Sequence, residues 1–358
     1  MVKTGRRVKT IQQRDVQGQA AEALRRALAD VPGVRLQIEP RLPGGEGPDL
    51  LFRLQLPAGE QVLAVEVKRS GEPRAVREAL DRIFRLRDRM PKAGFVIVAP
   101  YVSERGADLC ARESVSYADL SGNCRLVLDP IFVRREGLPN AFAVKRDLRS
   151  LFSPKAVRVL RVLLADPNKP WRIQLLAGEA GVSVGEVANV KSALLAREWA
   201  AVGPGGLTLI EPRTALAEWA GSGRYARSKA RDFYSLSSTR ELEASLADAC
   251  VAEGVTYALA SFSAAARMAP QVRYQRATAY VGGDLDGVAR SLGLKEVPTG
   301  ANVRLLLPAD EGVFYGSQEV DGVRIVSAVQ CYVDLLAESG RGAEAAEALL
   351  KEVLSPRW

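Results

Sequence analysis

Hydrophobic and polar positions change period several times along this 358-residue chain. In "AAEALRRALADV" (20–31) apolar residues recur every three or four positions, which predicts an amphipathic helix ended by the "PG" within residues 32–33. From residue 49 to 68 the period is two. Leu50, Phe52, Leu54 and Leu56 fall on one face of an extended segment, and Leu63, Val65 and Val67 do the same after "PAGE". Two strands, Asp49–Leu56 and Gln61–Lys68, with a four-residue connection are expected. Pairing Leu56 with Gln61 sets Asp49 opposite Lys68 and Leu51 opposite Glu66. Asp49, Glu66 and Lys68 then share the face away from the apolar stripe, at the open end of the hairpin.

A helix from about Pro73 to Met90 should follow, with its proline in the first turn. "GFVIVAP" (94–100) is a fully apolar run typical of a buried strand. A further helix at about 103–113 precedes "VSYADLSGNCRLVL", two strands joined at "SGN". Gly122 and Asn123 suit positive φ in that turn. Residues 1–147 thus form a compact α/β domain.

The period returns to helical at "FSPKAVRVLRVLLADP", where Ser153 is an N-cap and Pro154 a first-turn residue. "WRIQLLAGEAG", the turn "GVS" and "VGEVANVKSALLAREWA" make two more helices, the second opened by Ser183 and Glu186 in an S-x-x-E capping box. Val187, Val190 and Leu194 are its buried stripe. "AAV", "GPGG" and "LTLIEP" complete the segment 148–215 as two short strands about a glycine-rich tip. Residues 216–358 alternate helix-like and strand-like stretches in an α+β pattern, without a glycine-rich phosphate loop or a second carboxylate pair at useful spacing. Arg341 and Gly342 are expected in a turn between helices.

Composition narrows the chemistry. The chain has no histidine, which removes Ser-His and Cys-His nucleophile systems, histidine-ligated zinc and any histidine base. Its four cysteines, Cys110, Cys124, Cys250 and Cys331, show no CxxC spacing and suit a reducing cytoplasm. The start, "MVKTGRRVKTIQQR", is basic but has no apolar signal core, and no segment is long enough to span a bilayer, so a cytoplasmic protein without membrane contact is expected.

Charge is uneven. Residues 1–150 carry 27 of the 50 Lys/Arg and 19 of the 42 Asp/Glu, so the whole net charge of +8 lies in the part that holds the carboxylates. Arg74, Arg77, Arg82, Arg85, Arg87 and Arg89 follow on one helix, and Arg82 and Arg85 are candidate phosphate contacts. A basic surround at an acidic site points to a polyphosphate substrate.

"PD" at 48–49 followed by "EVK" at 66–68, on adjacent strands between helices, resembles the PD-(D/E)xK nuclease superfamily. The resemblance implies a restriction-endonuclease-like α/β core, with Asp49 and Glu66 as Mg²⁺ (or Mn²⁺) ligands. Asp49, Glu66 and Lys68 would be catalytic, the lysine positioning the attacking water, and Glu22 on the first helix would be an optional further acid. Residues 150–215 resemble a winged helix-turn-helix, which implies contacts to double-stranded DNA by Arg172, Ser183, Gly185, Glu186, Asn189, Lys191 and Ser192. The final segment, with "QCYVDLL" and "GRGAEAAEALL", resembles the C-terminal domain of AbiE-type (type IV) antitoxins and related bacterial transcriptional regulators.

Two readings remain open. One is a Mg²⁺-dependent DNA endonuclease targeted by its winged helix, in defence or repair. The other is a DNA-binding transcriptional regulator whose nuclease-like domain is not catalytic. A homodimer and a toxin or effector partner stay open under either.

Overall fold

The computed structural model describes residues 13–39, 47–56, 59–129, 131–142, 151–223, 228–269 and 274–358, without the side chains of 13–17. The basic arm at 1–12 and the "PA" of the hairpin connection lie outside the described residues. The chain is a mixed α/β protein of two compact units, Met1–Arg146 and Asp147–Trp358.

The first unit is a seven-stranded sheet whose spatial order follows the sequence. Its strands are β1 (Arg35–Glu39), β2 (Leu50–Leu56), β3 (Gly59–Val67), β4 (Gly94–Ala99), β5 (Ser116–Asp119), β6 (Cys124–Leu128) and β7 (Ile131–Arg135). β3, β4 and β5 run parallel, and the outer strands pair antiparallel. Parallel neighbours need crossovers, here α2 (Pro73–Arg87) and α3 (Glu104–Arg112). Helix α1 (Gln13–Leu28) covers the other face, where Ala20, Leu24 and Leu28 meet Phe52, Leu54, Leu63 and Val65. Ala64, Ile97 and Tyr117 point the opposite way and pack with Val76, Ala79, Ile83 and Leu86 of α2. Both faces are therefore covered, and each alternation along β3 sends one residue into each core.

The hairpin register is tighter than the pattern predicts. Leu54 pairs with Gln61 and Leu56 with Gly59, which leaves two residues in the connection instead of four. A shift of two residues preserves every face. It also moves partners: continuing Leu50↔Val65 by one step places Asp49 opposite Glu66, not Lys68.

In the second unit, α4 (Pro154–Ala165), α5 (Ile173–Ala180) and α6 (Val184–Ala196) lead into the hairpin of β8 (Ala200–Gly203) and β9 (Gly206–Leu209), then α7 (Pro212–Gly221). Ser153 caps α4 by accepting from the Ala156 N–H, and Gly181 ends α5 at φ 61°. Gly206 lies at φ 128°, where a Cβ would stand 2.3 Å from the Trp171 carbonyl. Glycine is required there because Trp171 and Leu207 exchange backbone hydrogen bonds and tie the hairpin to the start of α5.

The remaining chain builds a mixed sheet ordered β13-β10-β14-β12-β11-β16-β15. These strands are β10 (Lys229–Tyr234), β11 (Thr256–Leu259), β12 (Ala277–Gly282), β13 (Lys295–Glu296), β14 (Val303–Leu307), β15 (Gln318–Val320) and β16 (Val323–Ile325). Helices α8 (Thr239–Ala252), α9 (Ser261–Met268), α10 (Leu285–Ser291), α11 (Ala328–Ala337) and α12 (Gly342–Leu349) accompany it. One apolar core runs from Leu151 to Leu354, so the expected boundary at 215 falls inside a single compact unit. Buried Arg161 of α4 shows the joining directly. Its guanidinium lies 5.0 Å over the Trp219 ring, and its Nη2 donates to Gln330 Oε1 of α11 at 2.6 Å.

Candidate metal centre and nucleic-acid interface

Asp49 precedes β2, and Glu66 is the penultimate residue of β3, on the face that receives α2. The backbone of one strand fixes the acid of the other: the Val67 N–H donates to Asp49 Oδ2 at 2.8 Å. Arg82 of α2 enters between the two carboxylates. Its Nη1 is 3.4 Å from Asp49 Oδ1 and 3.2 Å from Glu66 Oε2, while Nη2 donates to the Gly47 carbonyl at 2.7 Å. Lys68 follows β3, half-buried, with its N–H donating to the Val98 carbonyl at 2.8 Å.

Glu66 is fully buried, and neither of its oxygens has a hydrogen-bond donor among the described residues. The contact with Arg82 is an ion pair without hydrogen-bond alignment. Burial pushes the Glu66 carboxyl up to about 7, and the adjacent Asp49 carboxylate adds to this by its charge and as an acceptor for the protonated form, while Arg82 and Lys68 oppose it; the ionised Glu66 has no donor among the described residues. An acid in this state is uncommon unless something else satisfies it.

The donor set fits a hard divalent cation. Mg²⁺ takes one or two carboxylates and keeps water in its other positions, and two orphaned buried oxygens are what such an ion would satisfy. Asp49 and Glu66 would hold it. Among the described residues no group of three or more Asp, Glu or Cys side chains gathers to hold a metal. Glu22 is not brought to the pair. Helix α1 packs on the opposite sheet face through the residues flanking Glu22, which is exposed and pairs with Arg25 at 3.7 Å.

Asp119, at the end of β5, is committed to structure. Its oxygens accept from the Val102 N–H and from the Asn123 backbone and side chain. Gly122 takes the positive φ (105°) expected of that turn, whereas Asn123 does not; it is buried and bridges Asp119 to Leu138. A pocket of about 100 Å³, lined by Ala23, Arg26, Asp119, Asn123 and Arg135 among others, lies against α1 and excludes the carboxylate pair.

The arginines of α2 are less available than a solvated helix would leave them. Arg74 pairs with Glu78, and Arg87 donates to the Glu113 carbonyl and lies over the Phe84 ring. Arg82 points into the site instead of outward, and Arg85 remains exposed. Periodicity carried a signal for this. Arg82 lies three residues from Ala79 and four from Leu86, on the border of the buried stripe.

In the second unit the residues expected at DNA lie mostly on the exposed side of α5 and α6. Arg172, Ser183, Gly185, Asn189 and Ser192 are exposed, and Glu186 and Lys191 are half-buried. Two hydroxyls are already used: Ser183 Oγ accepts from the Glu186 N–H, and Ser192 Oγ donates to the Ala188 carbonyl. The expected capping box is half formed. The Glu186 carboxylate takes the Ser153 hydroxyl at 3.5 Å and does not return to Ser183. Ser238 and Glu241 at the start of α8 form the complete box.

Residues 208–355 match a family described as transcriptional regulator, AbiEi antitoxin, type IV TA system. That stretch begins within β9 and contains the entire seven-stranded sheet of the second unit. No curated protein matches the chain. A solved structure titled "Structure of EndoMS in apo form" is 19% identical over 32% of this chain, with a TM-score of 0.22. The chain spans about half of that structure (48%), and a likeness at that TM-score carries no weight for the site. No helix among the described residues is long and apolar enough to cross a membrane.

Proposed function

We propose that this chain is a DNA-binding protein of the AbiEi regulator type whose first unit adds a divalent-metal centre for phosphodiester cleavage. The observation that carries the proposal is Glu66: a fully buried carboxylate, orphaned at both oxygens, beside Asp49 and near Lys68. The match at 208–355 supports the regulator part, including a toxin-class protein as a partner, with double-stranded DNA as the ligand.

When bound, Mg²⁺ or Mn²⁺ would acidify an attacking water and shield charge on the phosphate. Asp49 and Glu66 would hold the ion, with Asp49 fixed by the Val67 amide. Lys68 would orient the water and stabilise the developing negative charge without histidine. The helix pair α5–α6 and the β8–β9 hairpin are read as a winged helix. Asn189 is exposed and able to address a base edge, and Arg85 supplies sequence-independent phosphate contact.

A second reading keeps DNA binding and drops catalysis, and one observation favours it. Arg82 already pairs with both carboxylates. Incubating the protein with supercoiled and linear plasmid, with and without Mg²⁺ or Mn²⁺, separates the two. Metal-dependent nicking is expected, and its absence with either ion leaves the regulator reading. Asn189→Ala should reduce discrimination between DNA sites by about 1–3 kcal/mol, the scale of one base contact, measured by binding titrations on selected and scrambled duplexes. Unchanged discrimination would make the winged helix a packing or dimerisation module.

A further inference from the structure

Arg82 occupies the position that a metal reading assigns to a cation. Its guanidinium is held at three points, by Asp49 Oδ1, Glu66 Oε2 and the Gly47 carbonyl. A planar fork with fixed donors suits this bridging, where a lysine ammonium would supply a point charge. Without it, two neighbouring carboxylates, one fully buried, would repel each other in a region of low dielectric.

The hold is incomplete. Nη1 approaches Glu66 at 3.2 Å without hydrogen-bond alignment, so both Glu66 oxygens stay unsatisfied. The Arg82 side chain is also the most exposed of the three, at 34% against 18% for Asp49 and 1% for Glu66. It therefore has a route to solvent that Glu66 lacks.

We propose that Arg82 is a displaceable counter-ion: it holds Asp49 and Glu66 in the metal-free protein, and a divalent cation takes its place and frees the guanidinium for a substrate phosphate. The inference rests on Asp49 and Glu66 being metal ligands. A doubly charged ion at the same two carboxylates gains more Coulomb energy than the guanidinium it replaces. The displaced fork is the side chain best shaped for bidentate phosphate contact. Metal entry and phosphate capture are then linked through one residue.

The test is metal binding, with cleavage as a separate readout. Mn²⁺ affinity is measured by electron paramagnetic resonance of the free ion for wild type, Glu66→Gln, Arg82→Gln and Arg82→Lys. Glu66→Gln should abolish the site. Arg82→Gln should bind Mn²⁺ about tenfold more tightly, because one competing positive charge has gone. Arg82→Lys keeps the charge but cannot span three acceptors, and should gain about threefold. It also decides the matter if Arg82→Gln does not fold. Equal or weaker Mn²⁺ binding by the folded variants overturns the proposal while leaving the metal site intact. No Mn²⁺ binding by any of the proteins overturns the metal reading itself. For the release step, Ca²⁺ should tighten wild-type binding to a short duplex severalfold and leave Arg82→Lys nearly unchanged. Equal gains for the two overturn that step.

Discussion

Two buried acids in this protein share a state and differ in everything around it. Burial pushes the carboxyls of Glu66 and Asp334 up to about 7. Asp334, on α11, sits in a polar network: its Oδ1 accepts from the Tyr280 hydroxyl at 2.8 Å and from Gln330 Nε2 at 2.7 Å, and only its Oδ2 lacks a donor among the described residues. Gln330 in turn accepts from buried Arg161, whose own basicity burial lowers to about 10. Glu66 has no donor on either oxygen, and its neighbours Asp49, Arg82 and Lys68 are charged and partly exposed. The contrast separates two surroundings of one perturbation. Burial raises Asp334 against the pull of Tyr280, Gln330 and Arg161, in a polar network that joins α4 to α11 within one core. Glu66 is raised at the end of a strand, beside groups that reach solvent. A perturbed acid marks a candidate site when its unsatisfied valence faces something that can enter, and not otherwise.

The strongest test of that distinction is catalytic. Glu66→Gln is expected to reduce metal-dependent plasmid nicking about 10³-fold or more, the scale of losing a metal ligand. Asp334→Asn should leave nicking within about twofold, since the amide oxygen can still accept at the Oδ1 position. Nicking assays at matched, folded protein concentrations decide it. Comparable losses in the two variants would break the comparison and move Asp334 into the working site.

Stability against pH should show the opposite ranking of interest. The Asp334 carboxyl is raised from an ordinary value near 4, so the folded state binds its proton more tightly than the unfolded chain does. Its contribution is fully present below about pH 4 and is lost as pH rises towards about 7. Asp334→Asn removes this loss. The variant should be more stable than wild type above pH 7, by an upper bound on the order of 4 kcal/mol, and the gap should close towards pH 4. Urea unfolding at pH 5 and pH 8 measures the slope directly. A variant that is less stable at pH 8 would mean that the charged carboxylate is better accommodated by Arg161 and its neighbours than burial suggests.

How far either acid was legible in advance depends on the kind of pattern that encodes it. Period two placed Asp49, Glu66 and Lys68 on one face, and a slip of two residues left that face intact while changing which residue Asp49 opposes. Faces follow from alternation, whereas register follows from the connection, whose length the pattern at "PAGE" leaves free. Arg82 was legible as a candidate phosphate contact and not as the partner of the two carboxylates, because a position bordering a buried stripe can turn either way until the neighbouring strand is placed. Strands β1 and β7 went unpredicted. Both are five-residue edges with mixed burial, and "RLQIE" and "IFVRR" are too short for an alternation to stand out. Asp334 gave no signal at all. Within "QCYVDLL" it reads as the polar position of an amphipathic helix, and only its distant partners Tyr280 and Arg161 bury it.

The smallest predicted effect concerns one hydroxyl in the Asp334 network. Tyr280→Phe deletes a donor to Asp334 Oδ1 and leaves Gln330 Nε2 as the remaining one. Tyr280 otherwise packs edge-on against Phe314, with ring centroids 6.4 Å apart, and phenylalanine keeps that contact. The loss is therefore confined to the hydroxyl's hydrogen bonds, the short one donated to Asp334 and a longer one accepted from Gln330 Nε2 at 3.4 Å, on the order of 1–2 kcal/mol. It should depend on pH, because the bond favours the charged form of Asp334: the cost is larger at pH 8 than at pH 5, where the acid is mostly protonated. Pairing Tyr280→Phe with Asp334→Asn in a double-mutant cycle isolates the term. A coupling that falls from pH 8 to pH 5 places the titration on Asp334 itself. A coupling that ignores pH would mean that Asp334 does not change charge in this range. Glu66 would then be the one buried acid of the pair whose perturbation needs a ligand to explain it.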